Sequence, residues 1–265
     1  MTAAMRLEPF LVNVGDLLAI PSTADRPDEL RRALDFVLDL VGSGCVVERF
    51  ERHHKPSALV YRRPAGSAGA TRPEFRVILN AHLDVVPGEP EQFQPYRTGG
   101  RLYARGAHDM KVSALVQAYV FAELAGELPY PIALQLVTDE EVGGRDGTGY
   151  QLEQGVTGGF VVIGEQSGLR LVTESKGLLK AYLTATGRAG HSAYPWLADN
   201  ALTNLLHSIQ RLLARYPVPA EEAWCTTVNV ARVETPNRTF NLIPAQARAW
   251  LDIRFPPEDT DLSGR

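Results

Sequence analysis

Three short apolar runs constrain this fold most: residues 75–80 (FRVILN), 131–137 (PIALQLV) and 159–163 (GFVVI). Each has the length of a strand and is apolar almost throughout, the pattern of a strand buried on both faces. Between the first two lies a stretch, 110–124, that is apolar nearly all round and is expected to be a buried helix. A shorter helical stretch is expected near 148–154, between the second and third. Strands alternating with helices in this way predict an α/β layer, a mostly parallel sheet with helices on both faces. Upstream, helical patterns cover 9–20 and 27–41, and β-rich runs cover 45–50 and 57–61. Residues 62–73 (RRPAGSAGATRP) read as an exposed loop, because strands resume directly after them.

From residue 176 the rhythm changes. A strand at 178–187 leads to a helix at 199–216 and then to strands at 226–233 and 245–255. That is β-α-β-β, the first four elements of a ferredoxin-like α+β domain, without its last helix and strand. Two domains are therefore expected, 1–175 and an incomplete second one at 176–265. A chain of 265 residues has room for one to two domains at about 150 residues each.

Several functional classes are disfavoured. The longest mostly apolar stretch, 112–122, is too short to span a bilayer, and residues 1–6 lack the apolar run of a signal peptide. A net charge of −4 with no Lys/Arg block argues against nucleic acid or an anionic membrane as partner. Cys45 and Cys225 are far apart and match no metal or redox spacing. The 45% apolar content supports a core that needs no staple. A cytoplasmic protein acting on a small molecule is expected.

The polar residues that follow the strands carry the chemistry. After FRVILN comes Ala81-His82-Leu83-Asp84, after PIALQLV comes Thr138-Asp139-Glu140-Glu141, and after GFVVI comes Gly164-Glu165. Arg105-Gly-Ala-His-Asp109-Met-Lys111 sits at the mouth of the apolar helix. Ligands of open α/β sheets bind outside the carboxyl ends of the strands, so one His and several carboxylates converge on one rim. Taken singly, each is an ordinary strand-end, capping or surface residue. Together they form a self-repelling carboxylate cluster that needs cations. His82 and Asp84, two apart on an extended segment, leave the same face, so Asp84 is placed to accept the imidazole N–H and orient His82 as a ligand. Adjacent Glu140 and Glu141 diverge, so one can bind metal while the other reaches water. Nitrogen and oxygen donors without thiolate suit Zn²⁺, with Mn²⁺ or Co²⁺ as substitutes.

Five motifs in order resemble the zinc amidohydrolase family of acetylornithine deacetylase, succinyl-diaminopimelate desuccinylase, aminoacylase and glutamate carboxypeptidase. They are His82-Leu-Asp84-Val-Val-Pro87, Gly106-Ala-His-Asp109-Met-Lys111, Asp139-Glu-Glu-Val-Gly-Gly144, Gly164-Glu165 and Gly187-Arg-Ala-Gly-His-Ser192. The resemblance implies two zinc ions. His82, Asp109 and Glu165 would hold one, and Asp109 would bridge to the other, bound by Glu141. It makes Glu140 the general base, Asp84 the residue that orients His82, and the Asp109–Met110 peptide cis. It makes 176–265 a lid and homodimerisation domain whose His191 polarises the scissile carbonyl, often in the partner subunit's site. Asn241 (in Asn-Leu-Ile-Pro244) and Arg254 (in Asp-Ile-Arg254) would contact substrate. Taken alone, His191 is a turn-capping loop residue, and inside Gly187-Arg-Ala-Gly-His-Ser192 the functional reading wins; for Arg254 the two readings are close to even. Tyr194-Pro195-Trp196 either lines a pocket or braces the lid.

The chain departs from the family pattern in placing Ala104 and Val112 where Gly is usual. Glu at position 165 resembles the deacylase and carboxypeptidase branches more than the aminopeptidases. The family closes its second zinc site with a histidine near the C-terminus, whereas here the one histidine after His191 is His207, in the middle of a helical pattern. This points to a C-terminally truncated chain. The implied reaction is amide hydrolysis in a small N-acyl amino acid. The alternatives are a dipeptidase or carboxypeptidase on the same metals, or an inactive fragment or non-catalytic binding module.

Overall fold

A computed structural model describes residues 7–41, 43–63, 71–259 and 262; of the loop expected over 62–73, residues 64–70 lie outside them. The chain divides into two compact units, Met1–Arg170 and Leu171–Arg265.

The first unit opens with helices α1 (Leu7–Leu18) and α2 (Pro27–Val41). In α2, Pro27 supplies a φ suited to the first turn and Asp28-Glu29 face the positive end of the helix dipole. Leu30, Leu34, Val37 and Val41 recur at helical spacing and form its buried stripe. Strands β1 (Val46–Arg52) and β2 (Lys55–Tyr61) form a hairpin longer than the apolar pattern indicates. β1 lies at the sheet edge and alternates half-buried with exposed residues, so the polar Glu51 and Arg52 are tolerated in it.

Next come β3 (Phe75–His82), a small hairpin of β4 (Tyr96–Thr98) and β5 (Arg101–Tyr103), and helix α3 (Lys111–Leu124). They are followed by β6 (Ile132–Val137), α4 (Thr148–Glu153) and β7 (Gly158–Ile163). The β4–β5 hairpin is not anticipated by apolar patterning. Its signal is Gly99-Gly100, both at positive φ, in the two-residue turn that matches strand twist.

The central sheet runs β1–β2–β6–β3–β7. β6, β3 and β7 are mutually parallel, while β1 and β2 attach antiparallel at one side, so the sheet is parallel where the polar strand ends collect and mixed overall. α1, α2 and α3 cover one face, packing Leu17, Leu34 and Leu115 on Val60, Leu79 and Leu134. The other face carries Leu59, Tyr61, Phe75, Ile78 and Val156. There the short α4 lies near β1, its Tyr150 ring edge-on to Phe50 at 6.4 Å. Helical cover is thus full on one face and slight on the other.

The second unit contains β8 (Gly177–Thr186), β9 (Gly190–His191), α5 (Ala201–Arg215), β10 (Thr227–Glu234), β11 (Leu242–Ile243) and β12 (Gln246–Phe255). An antiparallel sheet runs β10–β12–β8. α5 is capped by Asn200, whose side chain accepts the N–H groups of Leu202 and Thr203. Its Leu205 and Ile209 pack on Val228, Ala249, Leu251 and Ile253. Alternation along β12 puts Arg248, Trp250 and Arg254 on the opposite face. β9 and β11 form a separate two-stranded pair that aligns His191 with Leu242.

Candidate metal centre

Parallel pairing explains why distant polar residues meet. In register, β3 residue Asn80 lies opposite Ile163 of β7, and His82 lies opposite Val137 of β6. The segments that leave the three strands, carrying His82-Asp84, Glu140-Glu141 and Glu165, therefore emerge together. Asp109 enters from the loop before α3, and its peptide bond to Met110 is cis, as the resemblance implies.

His82 is buried and central. Its Nδ1 lies 3.0 Å from the main-chain oxygen of Asp84. Its Nε2 lies 3.0 Å from Asp109 Oδ1 and 3.2 Å from Glu165 Oε1. An Nδ1–H that donates to a carbonyl leaves Nε2 as the ligand nitrogen, the usual arrangement at a metal-bound histidine. Burial alone would lower the His82 pKa, but hydrogen bonding and charge from Asp84 and Glu165 outweigh it and push it up to about 11.

Two groups place ligand atoms within 4.8 Å of one another: His82, Asp109 and Glu141; and His82, Glu140 and Glu165. Burial and neighbouring carboxylates raise the pKa of Glu140, with His82 opposing. Glu141 is likewise raised by burial first and then by Asp109. One imidazole faces several carboxylates, so the cluster keeps a net negative charge that a divalent cation would neutralise. Its N and O donors fit zinc.

Asp84 makes more contacts than its expected part requires. The shortest contact of His82 Nδ1 is to the main-chain oxygen of Asp84, with the carboxylate at 3.4 Å. The carboxylate also accepts the main-chain N–H groups of Glu140 and Glu141. Asp139 acts similarly one residue earlier, accepting the N–H of Asp146 at 2.7 Å, and burial raises its pKa. Sequence reasoning gave Asp139 no part. Its one signal is a carboxylate two residues past a fully buried strand and ahead of a Gly-Gly turn.

The sequence reading assigns no part to Lys111 either. It is buried at the start of α3, its pKa lowered by burial to about 7. Its signal was present: a lone cation opening an otherwise apolar helix stands at the wrong end of the dipole.

In the second unit, exposed His191 accepts the Ala193 N–H at Nδ1, 3.1 Å away. Asn241 is adjacent through its main chain, whose oxygen accepts the Ser192 N–H at 2.9 Å. Arg254 lies on β12 with its Nε 2.7 Å from Asp252, which raises its pKa. Tyr194 and Trp196 are exposed beside His191, with the Tyr194 ring 6.0 Å from the imidazole.

A family model described as Peptidase family M20/M25/M40 matches residues 78–247. A succinyl-diaminopimelate desuccinylase of Acidiphilium cryptum is 34% identical over 257 residues, covering 91% of this chain and 66% of that protein. A probable carboxypeptidase of Aspergillus terreus is 32% identical over 231 residues, covering 78% of this chain and 51% of that protein. The chain thus spans about half to two thirds of the length of these relatives. Among solved structures, an M20 family metallo-carboxypeptidase from Sulfolobus solfataricus shares the fold with a TM-score of 0.69 at 18% identity, covering 94% of this chain and 72% of that one.

Proposed function

The chain belongs to peptidase family M20/M25/M40, and on that premise we propose that it serves a metal-dependent hydrolase of amide bonds in small N-acyl amino acids. One observation carries the reading: a buried histidine, His82, stands within metal-binding reach of four carboxylates, those of Asp109, Glu140, Glu141 and Glu165. His82, Asp109 and Glu165 would hold one zinc ion, and Asp109 with Glu141 a second, with Co²⁺ or Mn²⁺ as substitutes. Bound metal would supply the positive charge that polarises the amide carbonyl and acidifies water.

The protein's own groups account for the proton movements. Glu140 takes the proton of the attacking water on its carboxylate and delivers it to the leaving amine, a part that suits a carboxylate with a raised pKa. Asp84 holds the Glu140–Glu141 main chain, and its own carbonyl orients His82. His191 donates to the developing oxyanion, and removing such a donor costs about 3 kcal/mol. Asn241 and Arg254 contact substrate. In this reading residues 176–265 are a lid that also joins two copies of the chain, His191 serves the partner subunit's site, and the protein works in the cytoplasm.

A second reading, a carboxypeptidase or dipeptidase on the same metals, is favoured by the name of the Aspergillus terreus relative. Metal content and hydrolysis, measured on one sample, test both. The substrates are N-acetyl and N-succinyl amino acids, dipeptides and N-blocked dipeptides. Faster cleavage of the acyl amino acids supports the deacylase, and faster cleavage of the peptides supports the second reading. Metal below one equivalent with no hydrolysis overturns both in favour of a non-catalytic module.

A further inference from the structure

Lys111 is wholly buried, and its amine N–H donors are spent on main-chain carbonyls: Nζ donates to Leu17 O at 3.2 Å and to Ile20 O at 2.6 Å. Both acceptors lie where α1 ends. The last carbonyls of a helix lack intrahelical donors and form the negative end of its dipole, so a side-chain N–H donor there satisfies them. The main-chain N–H of Lys111 donates to Gly106 O at 3.0 Å, which closes the loop that carries Asp109.

The same turn also grips the other ligand-bearing segment. Ser22 Oγ donates to Leu83 O at 2.6 Å, the Val85 N–H donates to Ser22 O at 3.0 Å, and Thr23 bridges to Val85. Residues 17–23 thus hold both 82–85 and 106–111 while offering none of the candidate ligands. Gly106, at φ +83, lies where the two segments meet: a Cβ there would come within 2.9 Å of Val85 Cγ1 and 3.0 Å of Lys111 Cδ. Burying a lysine at the N-terminal end of a helix opposes both its solvation and the dipole. That cost has a return if the lysine fixes something that must be fixed.

We propose that Lys111 is a positioning residue of the metal centre, fastening the Asp109 loop to the strut at 17–23 that also holds the end of His82's strand. The inference rests on the metal reading above. It assigns the His82–Asp109 spacing to a helix end that lies outside the ligand set.

The test is zinc affinity of the whole 265-residue chain by competition with a chromophoric chelator, alongside urea unfolding. Lys111→Met keeps the side chain's length and removes the Nζ donors, and its zinc affinity is expected to fall about 10- to 100-fold, the range for loss of a group that orients a ligand. Lys111→Arg restores part of the loss. Val37→Ala, a core change on α2, lowers stability and leaves affinity unchanged. Ser22→Ala removes the milder bond and lowers affinity a few-fold, which decides the matter if Lys111→Met does not fold. Affinity within twofold of the parent in both Lys111→Met and Ser22→Ala, or in Ser22→Ala alone where Lys111→Met does not fold, overturns the proposal and leaves the metal reading standing. A parent chain that binds no zinc overturns both.

Discussion

Asp84 holds Glu141 by its main chain: one carboxylate oxygen accepts the Glu141 N–H at 3.0 Å, and the other accepts the Glu140 N–H at 3.2 Å. The buried carboxylate thereby joins the end of β3 to the turn after β6, fixing both glutamates relative to His82. Asp84→Ala leaves two N–H groups without acceptors, at about 1–3 kcal/mol each. Lower stability in chelator is expected, together with zinc content below the parent's as Glu141 loses its place. Asp84→Asn, with a single amide oxygen, lies between. A full zinc complement in Asp84→Ala contradicts this account.

Glu140→Gln keeps the shape of the side chain and removes its ability to carry a proton. Metal content is expected to stay at the parent level while kcat falls at least 10²- to 10⁴-fold, the usual weight of a general acid–base group. Zinc analysis and turnover on one preparation check this; unchanged kcat would sink the assignment.

Much of this site was legible because its pieces follow strands whose type and direction the apolar pattern reveals. FRVILN, PIALQLV and GFVVI place His82, Glu140-Glu141 and Glu165 on one rim once the strands are parallel. Main-chain bonds are less visible in sequence. The spacing of His82 and Asp84 indicates a shared face, but it does not tell which oxygen of Asp84 meets the imidazole, and the main-chain one lies nearer. Lys111 was passed over for a related reason: its partners, Leu17 O and Ile20 O, are more than ninety residues away and carry no side-chain signature. The β4–β5 hairpin is announced by Gly99-Gly100 alone, since YRT and RLY are too short to show a period.

Two buried groups make the pH dependence of the metal-free protein a sum of opposites. Asp84 and Glu165 overcome the effect of burial on His82 and raise its pKa from 6.5 to about 11, so the folded chain keeps a proton that the unfolded chain releases. That stabilisation is complete below about pH 6.5 and fades as pH climbs towards 11. Burial lowers Lys111 from 10.5 to about 7, so between those values the unfolded chain holds the extra proton and rising pH favours folding. Each full proton is worth about 1.4 kcal/mol per pH unit. A nearly flat urea midpoint is expected in chelator between about pH 7.5 and 9.5. Lys111→Met should unmask a falling one; a Lys111→Met profile as flat as the parent's refutes the assigned protonation.

β7 predicts how the chain behaves in concentrated solution. It is the sheet's outermost strand beyond β3, and Phe160 is 64% exposed, Val161 45%, Val162 40% and Ile163 60%. Apolar residues open on both faces, beside a strand edge with no partner among the described residues, form a template for pairing with another chain. Association that grows with protein concentration is expected. Phe160→Lys combined with Val161→Lys puts one charge on each face, which should suppress that association. Neither side chain belongs to the metal centre, so zinc content should not change. Sedimentation velocity across a concentration series separates the outcomes: association that persists in the double variant places the sticky surface elsewhere, and its loss assigns it to β7.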